Sequence, residues 1–118
     1  MGNYILQNKA NLRHRHYLLL ANQTEHWFNA SPNVVKEYQA AYGNNFCLVL
    51  NRDGPNDDAY VIPFRRLTSL FVEKNLVAGA KGTLQWHGSV KGGQLELRGI
   101  DETVPVTQCY NTFSLLEK

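Results

Sequence analysis

With 118 residues, 43% of them hydrophobic and 19% charged, the chain has the composition of one globular domain rather than a disordered segment. A net charge of +2 is too small to hold a polyanion by charge alone. No apolar run approaches the roughly 20 residues that span a bilayer, and the chain reads as cytoplasmic, with Cys47 and Cys109 as free thiols.

The first segment carries a local charge bias. Lys9, Arg13 and Arg15 occur without an acid before residue 24, and His14 and His16 interleave with the arginines. The stretch from Asn11 through Leu20 could be a strand or a helical turn; the lack of a 3.6-residue period from His16 to Leu20 favours a strand, which would put Arg13 and Arg15 on one face. Trp27 and Phe28 follow in an apparently irregular segment.

Ser31 to Gly43 has the signals of a helix. Ser31 suits the N-cap, Pro32 the first helical position and Gly43 the C′ site, while Val34, Val35, Tyr38, Ala41 and Tyr42 share a face. Phe46 to Leu50 is a continuous apolar run, the pattern of a strand buried on both faces. The run Asp53-Gly54-Pro55-Asn56-Asp57-Asp58 is turn-like, so Ala59 to Ile62 is expected to return antiparallel to it. Arg65 to Asn75 reads as a second, short helix with Leu67, Leu70 and Phe71 inward.

Thr83 to Val90 and Gln94 to Gly99 read as a hairpin around Lys91-Gly92-Gly93. Its alternation turns Leu84, Trp86, Val90, Leu95 and Leu97 inward, and Gln85, His87, Ser89, Gln94, Glu96 and Arg98 outward. In the tail, Tyr110, Phe113, Leu115 and Leu116 are expected to anchor on the core. The sum is an α+β fold: a small curved antiparallel sheet or open barrel with two short helices at its rim.

Catalytic chemistry finds little to work with. His14 and His16 would point the same way on a strand, but no Cys or carboxylate nearby completes a metal set. Cys47 lies inside an apolar run, there is no nucleophile elbow, and Gly79-Ala80-Lys81-Gly82 lacks the P-loop spacing. No catalytic residue, metal or cofactor is therefore assigned.

Nucleic-acid binding has more support. Arg65 and Arg66 open the expected second helix, where free backbone N–H groups favour an anion. Arg13, Arg15 and Lys91 add cations, and Gln85, His87 and Arg98 carry groups suited to base edges. Trp27 offers a ring to stack on a base. The competing reading is a protein or small-ligand interaction module in which these cations are ordinary surface; a small metal-dependent hydrolase using His14, His16 and an acid ranks third.

The segment Tyr60-Val61-Ile62-Pro63-Phe64-Arg65-Arg66-Leu67-Thr68-Ser69-Leu70-Phe71, with Leu84-Gln85-Trp86-His87-Gly88 and Tyr110-Asn111-Thr112-Phe113 after it, resembles N-terminal domains found ahead of HNH-type nuclease domains in bacterial restriction proteins. The resemblance covers residues 44 to 116. It implies a recognition module for double-stranded DNA, in some cases methylated, with a C-terminal nuclease domain in the same parent chain. In that reading Arg13, Arg15, Arg65, Arg66 and Lys91 meet phosphates, Gln85, His87 and Arg98 face bases, and Trp27 stacks or wedges.

Overall fold

The computed structural model describes residues 11–21, 27–52, 59–79, 82–110, 112 and 116. It is α+β, with the strands in two sheets. Strands β1 (Tyr17–Ala21), β3 (Cys47–Arg52) and β4 (Ala59–Pro63) form the first, in the order β1-β3-β4. Strands β2 (Phe28–Ala30), β6 (Leu84–Lys91), β7 (Gln94–Leu97) and β8 (Thr103–Pro105) form the second in that order, and β5 (Val77–Ala78) pairs with the start of β6. Every pairing is antiparallel except β1 with β3, which is parallel.

Burial explains the two hydrophobic patterns. One face of the first sheet, with Leu48, Leu50 and Ile62, joins Phe28, Trp86, Val90, Leu95 and Leu97 of the second sheet in the main core. Its other face, with Cys47, Val49, Ala59 and Val61, is covered by Leu12 and Leu116. A strand covered twice has no solvent side, so Phe46 to Leu50 is apolar without a break. The second sheet is covered once, and its strands alternate.

Helix α1 (Pro32–Tyr42) has the bounds the capping residues set. The Ser31 side chain accepts from the Val34 amide at 3.4 Å, and Gly43 closes the helix at φ 65°. Val35 alone on the helix is fully buried, Tyr38 and Val34 pack partly on the core, and Ala41 is exposed. At the β6–β7 hairpin Gly92 and Gly93 have φ 57° and 77°, the two positive values a type I′ turn requires.

Several expectations are corrected. Residues 11–13 are helical and 14–16 turn before β1 begins, so Arg13 and Arg15 do not share a strand face. The reason is tertiary: the Tyr38 and Tyr42 hydroxyls of α1 donate to the carbonyls of Arg13 and His14 at 2.6 and 2.7 Å, and a strand there could not present both. His16 is buried at 3% exposure while His14 is exposed, which removes the shared metal pair.

The expected helix from Arg65 to Asn75 is two short 3-10 turns, Phe64–Arg66 and Glu73–Asn75. Side chains compete for its carbonyls: Asn75 Nδ2 donates to Leu70 O at 2.7 Å and Trp86 Nε1 to Val72 O at 2.9 Å. Leu67, Leu70 and Phe71 are nevertheless buried as the pattern requires. On β6, Leu84 is 52% exposed and Ser89 fully buried, the reverse of simple alternation. Leu116 is buried but Tyr110 is 44% exposed, its ring 5.2 Å from that of Tyr60. The acidic turn at 53–58, His26, Phe113 and Leu115 lie outside the described residues.

Candidate nucleic-acid interface

Pairing of β2 with β6 builds the most concentrated polar surface. Phe28 lies opposite Gly88 and Asn29 opposite His87. Continued by one residue, this register sets Trp27 opposite Ser89. The Trp27 ring stacks on the His87 ring, centroids 4.9 Å apart and planes 15° apart, and Lys91 Nζ sits 5.3 Å from the same indole. His87, Ser89 and Lys91 alternate onto one face of β6. The indole meets the first and the last, and the serine between them is fully buried. Its Oγ has no hydrogen-bond partner among the described residues.

Beside this stack lies a cleft of about 210 Å3 lined by Asn29, Gln85, His87 and Arg98, with Val77, Ala78 and Gly79 of the β5 segment as its wall. Asn29 Oδ1 is 2.5 Å from His87 Nδ1. An amide oxygen only accepts, so Nδ1 carries the hydrogen and, in the neutral ring, Nε2 is left as an acceptor. The cleft thus sets an acceptor on His87 beside the guanidinium of Arg98, which only donates, and the amide of Gln85, which does both. Asn29 is the member the sequence reading missed. Its pairing with His87 spans 58 residues, and no local signal could have exposed it.

The other cations gather elsewhere. Arg15 and Arg65 line a separate cleft with His16, Asn44 and Asn45, and share no lining residue with the first. Arg15 is held with its guanidinium 4.3 Å over the Tyr42 ring. Arg65 donates to Asn45 Oδ1. Arg66 is tied to the segment after β8, donating to Pro105 O at 2.8 Å and Cys109 Sγ at 3.3 Å, and Gln108 turns its amide oxygen to within 3.1 Å of the same guanidinium. Neither arginine stands at the start of an α-helix, so the helix-terminus anion site expected there does not form. Arg13 is exposed, at the end of the helical residues 11–13.

The thiols are suppressed as nucleophiles. Burial raises the Cys47 pKa to about 11, partly offset by Arg15. Burial also raises that of Cys109, against the pull of Arg66. Among the described residues no three His, Cys, Asp or Glu side chains group as metal ligands, and no helix is long and apolar enough to cross a membrane.

No protein-family model, curated protein or solved structure matches this chain.

Proposed function

We propose that the chain is a DNA-recognition module that meets double-stranded DNA with the outer face of the β2-β6-β7 sheet. The observation that carries the reading is the convergence of Trp27, Asn29, Gln85, His87, Lys91 and Arg98 on that face. Lys91 at the hairpin end and Arg98 serve as phosphate or guanine contacts. Gln85 and the His87 Nε2 acceptor read base edges. Trp27, with His87 and Lys91 packed about its ring, acts as a brace that fixes the His87 plane rather than as a wedge.

The reading includes a cytoplasmic setting and a nuclease domain elsewhere in the parent protein as the cutting partner, as the restriction-protein resemblance implies. Cytosine methylation is the modification to compare, because a methyl group lies in the major groove where such a face would dock. Anisotropy titrations on plain and cytosine-methylated duplexes at low and moderate salt test the proposal. Binding that weakens with Lys91→Ala and changes base or methyl preference with His87→Ala supports it. Absence of binding to any duplex at low salt sinks it.

One observation favours the competing interaction-module reading. A cleft of about 460 Å3 opens between α1 and the start of β6, with Lys36, Glu73 and Trp86 in its lining and the exposed Leu84 among them. A volume of this size suits a small ligand or a partner side chain. Failure of every duplex to bind would leave that reading in front.

A further inference from the structure

We propose that the cleft between Arg15 and Arg65 is an oxyanion site that takes one phosphate group, distinct from the outer sheet face. Arg15 and Arg65 line a space of about 280 Å3 that has no Asp or Glu in its lining among the described residues. Arg15 Nη1 is buried and has no hydrogen-bond partner among the described residues. A buried charged donor without an acceptor is costly, and negative charge in the cleft that Arg15 lines would offset that cost.

Both arginines are positioned before any ligand arrives. Tyr42 lies under the Arg15 guanidinium at 4.3 Å, and the hydroxyl of that same tyrosine holds the His14 carbonyl at 2.7 Å, fixing the turn that carries Arg15. Asn45 Oδ1 accepts from Arg65 Nη2, and no other acceptor for that guanidinium is found among the described residues. Planar, fixed guanidinium forks match a tetrahedral phosphate bidentately. The positive potential is felt by the neighbours: Arg15 opposes protonation of His16 and favours ionisation of Cys47. Phe46, Cys47 and Pro63 give the cleft an apolar floor, against which a sugar or base attached to the phosphate can lie.

The phosphate can belong to a mononucleotide or to a DNA backbone, and three probes separate these sources. Inorganic phosphate, thymidine 5′-phosphate and a short duplex are titrated at constant ionic strength while the Arg Nε–Hε resonances are followed by NMR. The expected result is saturable shifts confined to Arg15 and Arg65, with inorganic phosphate dissociating at roughly millimolar concentration or below. Arg65→Gln, at an exposed position, should weaken that binding about ten-fold or more while amide dispersion stays native. Arg15→Gln should do the same. Tighter saturation by thymidine 5′-phosphate than by the duplex assigns a small ligand; the reverse assigns the backbone; either upholds the site. Linear shifts spread over all arginines with every probe overturn it. Because Lys91→Ala and His87→Ala lie outside this cleft, loss of duplex binding in those variants with phosphate binding intact separates this proposal from the sheet-face reading.

Discussion

The backbone amide of Cys47 donates to Nδ1 of His16 at 2.9 Å, joining residues 31 apart in sequence across the rim of the first sheet. A ring nitrogen that accepts carries no proton, so the native state holds this imidazole neutral. Burial, with Arg15 adding to it and a backbone bond to Leu116 working against it, lowers the His16 pKa from its ordinary 6.5 to about 4. The unfolded chain therefore takes up a proton as pH falls through 6.5, while the native state resists until about 4. Stability contributed by the neutral ring is whole above pH 6.5 and is lost progressively towards pH 4, reaching about 3 kcal/mol. Urea unfolding at a series of pH values should show this slope. A His16→Gln variant, less stable at neutral pH, should show a flatter profile in the same window.

Ser89 gives a prediction of opposite sign from most core changes. Its hydroxyl is fully buried, without a partner among the described residues. Ser89→Ala removes a desolvated polar group and leaves only a small void. We expect unfolding free energy to be unchanged or raised by about 1 kcal/mol. A loss of more than about 1 kcal/mol in chemical denaturation would mean the hydroxyl has an acceptor.

Gly88 is fixed by crowding rather than by backbone conformation. A Cβ there would lie 2.6 Å from Glu96 O and 2.9 Å from both Leu97 Cδ2 and Phe28 Cζ. The carbonyl belongs to the paired strand and cannot swing aside. Gly88→Ala should therefore cost about 1–3 kcal/mol by overpacking. It should also loosen the β2 pairing that sets Asn29 beside His87, so amide exchange at Phe28 and Ala30 should quicken more than in β3.

Trp86 is 5% exposed and its indole nitrogen donates to Val72 O at 2.9 Å. Trp86→Phe leaves that carbonyl without this donor and opens a small cavity. A loss of about 2 kcal/mol is expected in thermal or denaturant unfolding. In the same variant, greater protease sensitivity at residues 73–75 would show that the indole holds the second 3-10 turn.

The salt dependence of duplex binding separates two footprints. If only Lys91 and Arg98 meet phosphates, the slope of log K against log salt should be about −2; engagement of Arg13, Arg15, Arg65 and Arg66 in addition would steepen it to about −5. Titrations at several salt concentrations distinguish these values. We expect the shallower slope, because Arg66 already donates to Pro105, Cys109 and Gln108, and Arg15 and Arg65 line another cleft.

Elements whose causes are local were legible in the residues themselves. Ser31, Pro32 and Gly43 delimit α1 because caps act within one turn, and Gly92-Gly93 sets the hairpin because only positive φ closes it in two residues. The unbroken apolar run of β3 and the inward Trp86 follow from burial on two faces or on one. The α+β class followed from the order of these elements. Tertiary structure decided the rest. Tyr38 and Tyr42 turned residues 13–16 away from a strand, and Asn75 and Trp86 took the carbonyls that a second helix would have used. The β2–β6 register brought Trp27 and Asn29 onto the hairpin face, buried Ser89, and left Arg15 and Arg65 in a cleft of their own. These outcomes rest on contacts between residues tens of positions apart, and such contacts leave no period in the residues that make them.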